Sequence, residues 1–413
     1  MKNLVAIILA FALYGSAVAQ TLERDFPLSF KVKVSNLSDA ARENCMVIIS
    51  PDDIQKQTKK FNSKAFVVLD KAVEIPSQYN TEDIDKGIVF VIPKLEKRES
   101  KEFTIRYHAT DVKPRNYTKR TQAELSHKVD GKFVNREYIG GTFKNVDYLR
   151  VPPEHKDHSW FIRYEGPGWE SDKVGYRFYL DQRNATDVFG KKGPEMVLQN
   201  VGLDGFDSYH EIQPWGMDVM KVGKSLGVGS IGAFENGKTI RVEKTDSVTC
   251  RITENGVVYS SILTNYYGWK LGGKKYDVQS TISIHAGTRL SHQILSVTNN
   301  PDTLCTGIVK DKLAKVFKSK GDAQHWGYIA TYGNQSLNND ALGLVVFFNP
   351  ANALGFKEDE FSEIIALKPN MGKLEYYFEG AWELEANGIS NETEFLSYIQ
   401  SMASQLSQPV SAR

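Results

Sequence analysis

Three stretches of this sequence mix titratable side chains with aromatic rings, glycines and amides. The densest region runs from 160 to 233 and opens WFIRYEGPGWESDKVGYRFYLDQ. A plain core has little use for so many polar groups beside rings. A sugar site does, because rings cover the C–H faces of a pyranose while charged and amide groups meet its hydroxyls and carboxylates. In KVGYRFYLD (173–181), strand alternation puts Arg177, Tyr179 and Asp181 on one face and Tyr176, Phe178 and Leu180 on the other. That charged face suits a concave polar surface, or an exposed sheet with Arg177 paired to Asp181. DSYHEIQPWGMD (207–218) carries Tyr209, His210, Trp215 and Asp218. Histidine exchanges protons near neutral pH, and tyrosine does so when charged neighbours shift it. HWGYIATYGNQS (325–336) adds His325, Trp326 and Tyr328.

Other patterns are weaker. His155 and His158 lie beside Glu154 and Asp157 in an H-x-x-H spacing that could ligate a metal. The preceding Pro152-Pro153 and the missing H-E-x-x-H favour a surface loop. Gly227, Gly229 and Gly232 match G-x-G-x-x-G, but their surroundings read as β rather than βαβ. Tight turns explain them better. No nucleophile elbow or Walker motif occurs. No cofactor is expected; a calcium site assembled from scattered oxygens would leave no motif.

The elements that must hold these groups are mostly strands. LSFKVKV, CMVIIS, AFVVLD, GIVFVI and FTIRYHA alternate or run apolar between polar turns. They predict a small immunoglobulin-like sandwich over 20–112. DVKPRNYTKRTQAE (111–124) reads as an exposed connector. Beyond it, long strands rich in aromatic and β-branched residues predict a large antiparallel, supersandwich-like domain over 113–413. The fold class is thus all-β with few helices. KDKLAKVFKSKG (310–321) is one amphipathic helix candidate. A better one starts at Asn391, with Glu394 in a capping-box position and Phe395, Ile399 and Ala403 on one face.

Composition narrows the partners. With 51 basic and 50 acidic side chains and no basic stripe, nucleic acid is not expected. The start Met1-Lys2, an apolar run to Tyr14 and Ala17-Val18-Ala19 predict a signal peptide over 1–19 and export to the periplasm or beyond. No membrane-inserted segment is expected in the mature chain. The three cysteines, Cys45, Cys250 and Cys305, read as buried apolar side chains.

NLSDAARENCMVI (36–48), EIPSQ (74–78), YEGPGWESDKVGYRFYLDQRNATDVFGKK (164–192), YHEIQPWGMDVMKVGKSLGVGSIG (209–232) and HWGYIATYG (325–333) resemble one known family. Its members are exported proteins of Bacteroidetes polysaccharide-utilisation loci for uronate-containing glycans. One branch looks like the oligosaccharide dehydratases of ulvan breakdown. The resemblance implies a β-sandwich enzyme acting on an acidic oligosaccharide. Eliminating water beside a uronate needs a base, an acid and a group to quiet the carboxylate. His210 or Tyr209 would supply one proton-transfer step and His325 the other. Arg177 would bind the carboxylate. Tyr179, Trp169, Trp215, Asp218, Trp326 and Tyr328 would shape the sugar site. A glycoside hydrolase using two of Glu165, Glu170, Asp181 and Asp218 remains an alternative, as does a non-catalytic sugar-binding module.

Overall fold

The computed structural model describes residues 21–82 and 84–413. The leader expected over 1–19 lies outside them. The described chain forms two units. One runs to Thr118 and takes back Pro409–Arg413; the other is Lys119–Gln408. The last residues join the first unit because Ser411–Ala412 pairs with Leu28–Ser35.

The first unit is a sandwich of a five-stranded and a three-stranded antiparallel sheet. Alternating residues Phe30, Val32 and Val34 meet Val47, Ile49, Phe90, Phe103 and Ile105 in its core. Cys45 lies in that core, and Cys250 and Cys305 are buried in the second unit, all as free thiols.

The second unit is built on a nine-stranded antiparallel sheet, here the long sheet. Its centre is Tyr259–Leu271, Lys274–His285, Ser291–Val297, Lys373–Trp382 and Leu342–Phe348, in that spatial order. Two five-stranded sheets accompany it. One, the site sheet, has the order Gly216–Asp218, Thr186–Lys191, Val174–Phe178, Gly168–Ser171, Thr121–Glu124. The segment Thr121–Glu124 was expected to be exposed connector; it is a buried edge strand. Its Glu124 is drawn inward by Arg163 and the Tyr164 hydroxyl.

Strand parity sorts the long sheet into two faces. Ile329, Leu344, Val346, Tyr376 and Phe378 join Tyr176, Phe178 and Val188 of the site sheet in the main core. The Gly380 N–H donates to the Tyr176 hydroxyl at 3.0 Å. The alternate residues Tyr328, Ala330, Tyr332, Val345 and Phe347 pack against the helix Glu392–Ser407. Asn391 caps that helix, accepting from the Glu394 N–H at 2.9 Å, as the sequence pattern predicts. The expected helix over 310–321 is instead the strand Ala314–Ser319, at the edge of the long sheet. Its lysines suit an edge strand that must not recruit another chain.

Gly227 is a position only glycine fits. Its φ is +62°, and an added Cβ would lie 1.8 Å from the Thr186 carbonyl oxygen. The glycine triplet thus serves close backbone approach, not a dinucleotide.

Phe395 is fully buried where the C-terminal helix meets the long sheet. Phe395→Ala should cost about 3–5 kcal/mol of stability, read as a lower denaturant midpoint. Leu396→Ala, at a half-buried neighbour, should cost clearly less.

Candidate active site

The face of the site sheet turned away from the main core carries a buried charge cluster. Register sets Arg177 opposite Asp187, and Phe189 opposite Asp218. The Arg177 guanidinium donates to Asp218 at 2.6 Å and to Asp187 at 2.8 and 3.1 Å. It also donates to the hydroxyls of Tyr209 at 3.0 Å and Tyr179 at 3.2 Å, and to the Tyr164 carbonyl at 3.3 Å. Glu165 stands 3.6 Å away. These contacts engage both terminal nitrogens and Nε, leaving no arm of the fork for a ligand. Tyr179, Tyr209 and Phe189 pack around the cation, with ring centroids at 4.8, 5.1 and 5.4 Å.

One histidine reaches this cluster from the outside. His210 ends a short 3-10 turn, Ser208–His210, and its side chain is 39% exposed. Its Nε2 lies 3.4 Å from the Asp218 carboxylate. The Asp218 contact raises the His210 pKa above its ordinary value, against the opposing effect of burial. With Nε2–H turned toward Asp218, Nδ1 carries the free lone pair. Tyr209 beneath it is 1% exposed, and burial pushes its phenol far up. It is a poor base there and serves as an Arg177 partner. Burial and the Asp218 charge push Asp187 up to about 7, despite Arg177.

The surrounding backbone is held under strain. His158, Trp160, Tyr164 and Glu165 all have positive φ, between 39° and 71°. Such conformations in bulky non-glycine residues persist only where the surroundings enforce them, and they cluster at functional sites. Arg183 does much of the enforcing. It bridges Asp157 at 2.7 Å, Glu165 at 2.6 Å and Asp181 at 2.5 Å, and lies 3.8 Å over the Tyr179 ring. His158 is 63% exposed, with Nδ1 2.6 Å from Asp157, and its ring meets Phe206 at 5.1 Å. Phe206 in turn packs on the cluster containing Tyr209. His158 was read from sequence only as part of an H-x-x-H pair; the adjacent Asp-His dipeptide was the available signal. His155 turns inward to Ser159 instead. Ligand atoms of Asp157, His158 and Glu165 fall within 4.8 Å of one another. Arg183 already bonds an oxygen of both carboxylates, which His158 also engages, so these oxygens are spent within the protein.

Below the loop, Lys191 and Glu170 form a fully buried ion pair at 2.6 Å. The other Glu170 oxygen accepts the Val197 and Leu198 N–H groups, both at 2.9 Å. This anchors the segment whose Leu198, Val201 and Tyr209 cover Phe189. Trp215 is half-buried on the same ring, 6.0 Å away.

The sequence-based assignments are therefore divided. Arg177, Tyr179, Tyr209, His210, Trp215 and Asp218 come together as expected. Arg177 is corrected from substrate clamp to internal counter-ion, because protein groups occupy its donors. Trp169 faces the main core, stacked on Tyr176 at 5.5 Å and donating to Ser291. Trp326 and Tyr328 lie under the C-terminal helix, on the opposite face of the long sheet. His325 is exposed beside them, 2.9 Å from Asp322, so it is not part of this cluster.

A family model described as a domain of unknown function, DUF4861, matches residues 34–412. The chain belongs to the DUF4861 family. No curated protein matches it. Among solved structures, it is similar to a glycosyl hydrolase family 38 protein from Enterococcus faecalis at 8% identity, with a TM-score of 0.47. It is also similar to an α-mannosidase from Enterococcus faecalis V583 at 9% identity, with a TM-score of 0.48. Each likeness covers 93% of this chain, which spans about half of either structure, 47% and 46%. Likeness at that level carries no argument about the reaction.

In this DUF4861 chain, the Arg177 guanidinium pairs two buried carboxylates, Asp187 and Asp218, and lies near a third, Glu165, which Arg183 also holds. Arg177→Met would strand them, and should cost about 3–5 kcal/mol in denaturant unfolding. Asp187→Asn should be milder, because burial and the nearby Asp218 charge already disfavour the ionised form of Asp187.

Proposed function

We propose that this protein is a hydro-lyase that removes water from uronate-containing oligosaccharides, with His210 as the proton-transfer group. The observation that carries the reading is a half-exposed imidazole backed by a buried carboxylate, which is itself locked by Arg177. In the reaction, His210 Nδ1 takes the proton from the carbon beside the uronate carboxylate. The β-hydroxyl leaves with a proton from a second acid, so substrate loses one water and a carbon–carbon double bond forms. His158, paired with Asp157, is the second acid in this reading and replaces His325. Lys192 supplies charge for the substrate carboxylate. Its Nζ touches the Gln213 carbonyl at 3.2 Å on the His210 segment, and it has no carboxylate partner among the described residues.

Hydrolysis is less well supported. It needs two carboxylates facing the substrate, yet Glu165, Glu170, Asp181 and Asp218 are all buried, with basic partners. The resemblance to ulvan oligosaccharide dehydratases favours the same choice and points to sulfated uronate oligomers; the step above requires a saturated terminal uronate, which keeps a hydrogen on the carbon beside the carboxylate and a free β-hydroxyl. The leader-like N-terminus supports action outside the cytoplasm. No helix among the described residues is long and apolar enough to cross a membrane.

Mass spectrometry of such oligomers incubated with the mature protein should show loss of one water from intact chains. His210→Ala should slow this about 10²–10⁴-fold. Fragmentation into shorter oligomers, or full turnover by His210→Ala, would contradict the reading. The pH profile has a definite sign. The base works when neutral, so kcat/KM should rise with pH through a value above the ordinary histidine pKa of about 6.5. Asp218→Asn removes the group that raises that pKa, and should move the acidic limb to lower pH.

A further inference from the structure

The long sheet carries a second polar feature, on the face opposite the site sheet. Register aligns Thr249 with Asn265, Asn265 with Gln279, Gln279 with Ser296, and Ser296 with Lys373. The row crosses five neighbouring strands, each about 4.8 Å from the next. Every member is a hydroxyl, an amide or an ammonium. Long amide contacts of 3.4 Å tie Asn265 to Thr249 and Gln279 to Asn265. The row floors an open trough of about 310 Å³, also lined by Tyr267, Asp277 and Thr298.

An exposed aromatic ring stands on this face beside a β-bulge. Pairing between Tyr259–Leu271 and Lys274–His285 breaks between Tyr266 and Trp269. Tyr266 and Trp269 point into the core at 2% and 0% exposure, whereas Tyr267 is 42% exposed. The bulge is fixed by Gly268, whose φ is +66° and whose added Cβ would lie 2.2 Å from the Asp246 carboxylate. The Gly268 N–H donates to Asp277 at 2.8 Å.

We propose that this trough binds a segment of anionic polysaccharide, separately from the His210 centre. Tyr267 offers a ring to a sugar face. The Asn265, Gln279, Ser296 and Thr298 side chains offer hydrogen-bond partners to sugar hydroxyls. Lys373 supplies the charge preference. Its ammonium has no carboxylate partner among the described residues, while the trough's carboxylate, Asp277, is engaged by Gly268. A peptide is a worse occupant. The strands here are central, so their backbone groups are spent on the ladder and cannot accept an added strand. The lining mixes these polar side chains with Tyr266, Val278, Val297 and the exposed Met371. A polymer held on this face leaves the His210 side of the unit free.

Affinity electrophoresis of the full mature protein through gels containing ulvan or polygalacturonate tests this. The wild type should be retarded, with retardation by an uncharged glucan weaker. Tyr267→Ala and Gln279→Ala should each bind about tenfold more weakly, and Lys373→Met should lose the preference for the acidic polymers. All three side chains are exposed, so thermal unfolding should confirm that the variants fold. His210→Ala should be retarded like the wild type, which separates this trough from the proposed catalytic centre. Absence of wild-type retardation by both acidic polymers overturns the proposal. So does equal retardation of folded Tyr267→Ala and Gln279→Ala, or loss of retardation in His210→Ala.

Discussion

A single buried guanidinium organises the centre of this protein. Arg177 holds Asp187 and Asp218 on neighbouring strands, Tyr179 on its own strand, and Tyr209 on the covering loop. A charge in a dry interior is tolerated only when paired and fully hydrogen-bonded. That requirement works in both directions. The carboxylates keep Arg177 ionised, and Arg177 keeps Asp218 in place to orient His210. The same field reaches Glu165, where burial is outweighed by Arg177 and Arg183 and the pKa stays below its ordinary value. Glu165 then accepts the His158 N–H at 2.9 Å, so the strained loop is tied to the same network.

This arrangement separates rigid charge from working groups. The carboxylates and arginines are buried and largely spent on one another. His210 and His158, each with an aspartate partner, stand at the edge of this network, exposed enough for a ligand to reach them. A buried network of this kind contributes little net stability compared with apolar packing. In the proposed reaction its value lies in fixing orientation, which proton transfer needs and a hydrophobic core does not supply.

Much of this was legible in the sequence. Alternation in KVGYRFYLD separated the Arg177 face from the Tyr176 face, and the rings and charges of 207–218 marked the segment that covers it. The alternating and apolar runs gave the two sandwiches. What failed has a physical cause in each case. HWGYIATYG mixes rings with a histidine much as 207–218 does, but composition does not say which face of a sheet a residue occupies. Parity sends Tyr328 to the helix side, and Trp326 is buried there with it. Thr121–Glu124 looked like exposed linker because the whole stretch 111–124 is basic and polar, and the burial of its Glu124 is explained by the distant Arg163 and Tyr164. Arg177 was expected to serve a ligand because its partners Asp187 and Asp218 are distant in sequence and meet it only through sheet pairing. The Lys-rich 310–321 segment has an amphipathic look that suits either a helix or an edge strand.

The most direct test of the central claim follows the proton rather than the product. Proton NMR of a uronate oligosaccharide incubated in D₂O with wild type and His210→Ala reports exchange at the carbon beside the carboxylate. Deuterium wash-in or elimination at that carbon with the wild type, and neither with a folded His210→Ala protein, is the result this account expects. Wash-in at the same rate with both proteins would contradict it and remove His210 as the base.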